Sequence, residues 1–142
     1  MSAVPIHAAT SSDAIRLELE EVLKLQRAAY FAHPYPTFAE RKADLLKLKA
    51  FIKDNRDAIV DAISADYGNR SRHETLFAEI FSVVDGVEHT LKHLKTWMKP
   101  QRRGVDIKNF FGAKNRVDPQ PLGIVGAIVP WNFHINLSFS GL

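Results

Sequence analysis

The stretch PLGIVGAIVPWNFHINLS, residues 121–138, carries the most chemistry in this sequence. Leu122–Val129 is nearly all apolar, with glycines at 123 and 126, and such a run suits a strand buried on both faces of a parallel sheet. Pro130-Trp131-Asn132 turns the chain, and Ile135–Leu142 can open a helix. Ligands of open α/β sheets bind at the carboxyl ends of strands. Val129, Trp131 and Asn132 fall at such an end, where the Asn132 amide can donate a hydrogen bond into a cleft. The same pattern lets Asn132 cap the next helix and Trp131 simply pack. The residues alone leave both readings open.

Other groups have plainer explanations. There is no cysteine, which excludes disulfides, thiolate metal sites and a thiol nucleophile within these residues. Of the six histidines, His7, His33, His73, His89, His93 and His134, only His89 and His93 have a chelating spacing. No third ligand is placed by sequence and both lie off the apolar stripe, so no metal site is expected. Asp66 and Glu74 suit helix-end roles better than an acid pair. The basic run Lys99–Arg103 reads as a solvated loop. Phe110 and Phe111, near Lys108 and Lys114, are more simply packed on a strand than stacked on bases.

The elements that must position the 130–132 turn are mostly helical. Ile15, Leu19, Val22 and Leu23 recur at helical spacing behind Asp13, a candidate N-cap, and His33-Pro34-Tyr35-Pro36 ends that helix. Thr37 and Glu40 form a capping box ahead of a stripe of Leu45, Leu48, Ile52, Ile59 and Ile63. Asp54-Asn55 is a point where that stripe can break into two helices, and Tyr67-Gly68 closes it. Ser71 and Glu74 suggest a second capping box before the longest pattern, Leu76, Ile80, Val84, Val87, Leu91, Leu94 and Met98, which ends at Lys99-Pro100. Beyond it, Val105–Phe111 and Lys114–Val117 have extended character around Gly112 and predict a hairpin or paired ribbon. The expected organisation is a flexible tail over 1–12, a helical region over 13–99, an extended arm over 100–120 and a third region from 121.

With 46% hydrophobic and 25% charged residues the chain is globular rather than disordered. The 19 Lys and Arg nearly balance 16 Asp and Glu, leaving a net charge of +3 that does not require nucleic acid. Met1–Thr10 lacks a basic region followed by an apolar stretch, and there is no apolar run of about 18 residues. A cytoplasmic protein with no membrane partner is expected. A doubly buried parallel strand needs neighbours reached by crossovers, and only one such run is present. The sequence is therefore expected to be truncated, with Ile124–Val129 an aggregation hazard in isolation.

Pro121-x-Gly123 followed by Pro130-Trp131-Asn132-Phe133 resembles the signature that opens the cofactor domain of the aldehyde dehydrogenase superfamily. Arg41, Leu45, Leu48, Ile52, Asn55, Ala62, Asp66, Gly68, Glu74, Glu79 and Trp97 resemble that family's N-terminal helices, so the likeness covers residues 14–142. Within the superfamily, YFAHPYPTFAERKADL and DYGNRSRHETLFAEIFSV are most similar to the bacterial coniferyl aldehyde dehydrogenases.

The resemblance implies an α/β fold: N-terminal helices, an extended oligomerisation arm, then the first strand and turn of an incomplete Rossmann-like NAD(P)-binding domain over 121–142. It implies that a cysteine thiolate attacks an aldehyde, that Asn132 donates to the resulting oxyanion, and that Val129, Pro130 and Trp131 line the site of NAD or NADP. A homo-oligomer oxidising an aromatic aldehyde to the acid is the implied whole. The sequence departs from the family in having His134 where proline is usual. The family's nucleophilic cysteine, general-base glutamate and ribose-binding lysine have no counterpart before Leu142, so residues 1–142 alone are expected to be inactive. Two other classes compete: a non-catalytic helical interaction module, which explains the apolar 122–129 run badly, and a basic RNA-binding protein, which predicts steep salt dependence.

Overall fold

The structure is a computed structural model that describes residues 12–141. The chain divides into two compact units: the stretch up to Tyr35 with Pro121–Val125, and Pro36–Gln120 with the stretch from Gly126. The expected tail, including His7, lies almost wholly outside the described residues, as does Leu142. No helix among the described residues is long and apolar enough to cross a membrane.

In the first unit, helix α1 spans Ser12–Ala32. Asp13 lies inside its first turn rather than at the cap, where it meets Arg16 at 3.8 Å. Arg16–Glu20 and Lys24–Glu21 add exposed pairs at helical spacing, each a weak support. Near the end of α1, the Tyr30 hydroxyl donates to the Pro121 carbonyl at 3.4 Å. Gly123 is required here twice over. Its φ of +89° is in the region that side chains avoid, and a Cβ would lie 3.2 Å from the Tyr30 ring.

The strand expected over Leu122–Val129 is not formed. The segment has no regular structure, with Leu122 91% and Ile128 102% exposed. A strand exists only through the hydrogen bonds of its neighbours, and the described residues supply none to this segment.

The second unit is built on helices whose starts and stops are local. Helix α2, Phe38–Asp54, opens on the expected capping box: the Glu40 N–H donates to Thr37 Oγ1 at 3.3 Å and the Thr37 N–H donates to Glu40 Oε2 at 2.7 Å. Asn55 breaks the stripe as expected, its side chain donating to the Phe51 carbonyl at 2.8 Å, and α3 follows as Arg56–Asp66. Gly68, at φ +77°, closes it.

The second capping box is absent. Ser71 occupies the cap position of α4, Arg72–Thr75, without a side-chain bond, and Glu74 accepts from Arg70 Nη2 at 3.4 Å instead. Nor is the long pattern one α-helix. Between α4 and α5, Ser82–Trp97, lies a π-helical turn, Leu76–Phe81. This wide turn brings two consecutive residues, Glu79 and Ile80, into the interior at 0% and 6% exposure. The core is Ile52, Val60, Ile80, Val83 and Val87, flanked by Leu45, Leu48, Leu91, Ile135 and Phe139 among others. The last two are four apart on α6, His134–Phe139, so the short helix after the 130–132 turn is itself pinned to the core.

The expected ribbon is present with a shifted first strand. Gln101–Arg103 (β1), read as a loop from its charge, pairs antiparallel with Asn115–Val117 (β2), placing Arg102 opposite Arg116. Val105–Phe111 turns instead, because Asp106 gathers nearby donors: the Lys108 N–H at 3.1 Å and the Asn109 side chain at 2.6 Å on its carboxylate, and the Phe110 N–H at 2.9 Å on its carbonyl. Phe110 and Phe111 are therefore exposed, at 62% and 93%, rather than packed on a strand.

Across the surface of this unit, Lys49 of α2 meets Glu88 of α5 at 2.7 Å. The hydrogen bond and charge of Lys49 hold the Glu88 carboxyl below its usual range. A lowered carboxyl pKa contributes stability above the unfolded value, about 4.3, and loses it as pH falls through the folded value. Lys49→Met should return Glu88 to the ordinary carboxylate range in an NMR pH titration and remove that acid-side dependence. An unchanged Glu88 titration would show that the pair is not formed in solution.

Candidate functional site

The turn singled out by sequence is held almost entirely through its backbone. The Tyr67 hydroxyl, one residue past α3, donates to the Trp131 carbonyl. Arg70 Nη1 donates to the Asn132 carbonyl at 2.8 Å and to Glu79 Oε1 at 3.2 Å. Its guanidinium carbon lies 5.1 Å from the Tyr67 ring centroid and 5.2 Å from that of Phe133, within cation–π range. Glu79 Oε2 accepts the N–H of Ile135 at 2.7 Å and of Asn136 at 3.1 Å. The Asn136 side chain donates to the Ala78 carbonyl at 2.9 Å.

These bonds bear on the capping role open to Asn132. Phe133, not Asn132, is the cap residue of α6, and it has no side chain able to cap. The N–H groups of the second and third helical residues, which a Ser or Asp cap would normally take, are taken by Glu79 across 56 and 57 residues of sequence. The Asn132 side chain is thus not used to start the helix. It is exposed and makes no hydrogen bond among the described residues. Trp131 is 84% exposed, so packing within these residues does not explain it either. Pro130 is exposed and Val129 half-buried. A surface depression beside the turn is lined by Asp66, Tyr67, Trp131, Asn132 and His134.

His134 is the first helical residue of α6. Its ring meets Tyr67 edge-on at 5.8 Å, and its Nδ1 is buried 3.8 Å from Glu79 Oε1, beyond hydrogen-bond distance. It faces the supports of the turn, not a proton-transfer partner. His89 and His93 are engaged locally, the His93 Nδ1 lying 2.8 Å from the His89 carbonyl and both rings near Trp97.

Sequence reasoning missed Arg70 and the role of Glu79. The available signal was Glu79 itself, a charge directly beside Ile80 on the apolar stripe.

The imidazole of His134 makes no hydrogen bond among the described residues, and Phe133 has extended backbone, φ −143° and ψ 75°. Proline is favoured at this first helical position. His134→Pro should be neutral or stabilise by roughly 0.4–1 kcal/mol, read as the shift in denaturation midpoint. A clear loss of stability would mean that the His134 contacts matter more than its backbone position.

The model of the aldehyde dehydrogenase family matches residues 5–142. The chain is 42% identical over 125 residues to a probable coniferyl aldehyde dehydrogenase of Pseudomonas aeruginosa, covering 88% of this chain and 26% of the relative. It is 38% identical over 125 residues to a coniferyl aldehyde dehydrogenase of a Pseudomonas species, covering 88% and 25%. With a probable coniferyl aldehyde dehydrogenase of Caulobacter vibrioides it shares 34% over 134 residues, covering 93% and 28%. The chain therefore spans about a quarter of the length of these curated relatives. Across nearly all of its own length, this chain belongs to the aldehyde dehydrogenase family.

Proposed function

We propose that this chain is the N-terminal part of an NAD(P)-dependent aldehyde dehydrogenase that oxidises an aromatic aldehyde of the coniferyl type to its acid, with Asn132 as oxyanion donor. The observation that carries it is the division of labour at the turn: Glu79, Arg70 and Tyr67 hold the backbone, and the Asn132 amide is left exposed. The substrate class is supported by the bacterial relatives, which are coniferyl or probable coniferyl aldehyde dehydrogenases.

Attack of a nucleophile on an aldehyde carbon pushes the carbonyl π electrons onto oxygen. A neutral amide N–H held where that charge develops lowers the barrier without any proton transfer. Asn132 suits this because it sits on a fixed backbone and spends no donor on its own turn. The nucleophile must come from outside these residues, since they contain no cysteine. The exposed Trp131 indole and the unpaired backbone of 126–130 fit NAD or NADP, offering a flat apolar face and main-chain donors and acceptors. A bound nicotinamide would supply the hydride acceptor for the oxidation. Val129, Pro130 and Trp131 would line that site, and the segment 122–129 would become the first strand of the cofactor domain.

The domain plan that accompanies this is a helical region over 13–99, an oligomerisation arm over 100–120 and the start of the cofactor domain from 121. The arm is the β1–β2 ribbon, whose exposed residues suit a subunit contact. A cytoplasmic homo-oligomer is the expected setting.

In the whole protein carrying this chain, Asn132→Ala should lower kcat by about 10²–10³, with little change in melting temperature. Steady-state kinetics with coniferyl aldehyde checks this, and an unchanged kcat removes Asn132 from the oxyanion role.

A further inference from the structure

We infer that Arg70 and Glu79 are positioning residues for Asn132: a buried ion pair that fixes the orientation of the amide without touching the substrate. The inference rests on the oxyanion reading of Asn132 and extends it to two residues in another part of the sequence.

Each residue from Trp131 to Asn136 meets a side chain from outside the turn, His134 lying edge-on to the Tyr67 ring. Tyr67 takes the Trp131 carbonyl, and Arg70 takes the Asn132 carbonyl and lies against Phe133. Glu79 takes the N–H groups of Ile135 and Asn136, and the Asn136 side chain returns a bond to Ala78. At Trp131 and Asn132 the hydrogen bonds from outside the turn reach the backbone carbonyls and not the side chains. The direction of an Asn side chain follows from its backbone and two torsions, so fixing the carbonyl of Asn132 and the residue after it leaves the amide little room to swing.

The cost of the arrangement argues that it has a task. Glu79 is fully buried and the Arg70 side chain 5% exposed. A buried ion pair is often no more stable than apolar residues of similar size. It also needs an interrupted helix: a π-helical turn occurs at Leu76–Phe81, where it lets Glu79 as well as Ile80 face inward, and such turns are frequent at functional sites. A simple cap could have come from Ser or Asp at position 133. Glu79 supplies instead one oxygen to the helix start and the other to Arg70, and so couples the helix start to the carbonyl of the functional residue.

The test is a double-mutant cycle in the whole protein. Arg70→Lys keeps the positive charge but loses the planar fork that reaches Glu79 and the Asn132 carbonyl together. It should lower kcat roughly ten- to a hundredfold, the scale of a small misplacement, with KM for NAD(P) nearly unchanged. In the Asn132→Ala background the same change should cost almost nothing, because there is no amide left to misplace. Tyr67→Phe removes one hydroxyl at a residue 47% exposed. It is read in the same way if Arg70→Lys does not fold, with a smaller effect of the same pattern. Equal losses in both backgrounds, or no loss in the otherwise unchanged protein, overturn the positioning role while leaving that of Asn132 intact. An unchanged kcat for Asn132→Ala alone overturns the oxyanion role, and this inference with it.

Discussion

A carboxylate with no solvent exposure must find its hydrogen bonds inside the protein, and the Glu79 carboxylate finds three. One oxygen accepts from the Arg70 guanidinium and the other from two backbone N–H groups at the start of α6. Removing any partner leaves a buried charge or an orphaned donor, each costly. That constraint ties together segments far apart in sequence: the loop after α3 that carries Arg70, the π-helical turn that carries Glu79, and the 130–136 turn with its helix. Ile135 and Phe139 then join the core beside Val83 and Val87, so the polar anchor and the apolar packing of α6 reinforce each other.

The geometry of the turn depends on this anchor because its own sequence offers little to stabilise it. Phe133 cannot cap a helix, and His134 lacks the restraint that proline gives at a first helical position. The neighbouring run 122–129 has no paired strand to brace it among the described residues. What remains is support from the helical side. The second unit therefore presents the exposed Asn132 amide on a held backbone, as the proposed oxyanion role would require.

Local features were legible in the sequence. The Thr37/Glu40 box, the break at Asn55 and the left-handed Gly68 each depend on residues within a turn or so of one another, and each is found. Features set by distant partners were not. Ser71 and Glu74 have the spacing of a capping box, but Arg70, already paired with the buried Glu79, claims the Glu74 carboxylate. The stripe from Leu76 to Met98 has helical periodicity, yet spacing alone cannot reveal that Glu79 must reach α6, which is what the π-helical turn allows. The β1–β2 register was missed because Asp106 folds the expected strand into turns, leaving charged Gln101–Arg103 to pair. The run 122–129 has strand-like composition but no regular structure, because no strand among the described residues pairs with it. At the candidate site, Asn132 and Trp131 could be singled out from one motif. Their supports at 67, 70 and 79 required three-dimensional contacts.

The most direct measurement is the distance from Asn132 Nδ2 to the oxygen of a bound aldehyde, in a crystal structure of the whole protein with NAD(P) and a slowly reacting aromatic aldehyde. A separation of about 2.7–3.1 Å, with Arg70 and Glu79 still gripping the backbone of the turn, is the expected result. An aldehyde oxygen directed away from Asn132, with the amide turned toward solvent or bonded within the protein, would contradict the role assigned to it.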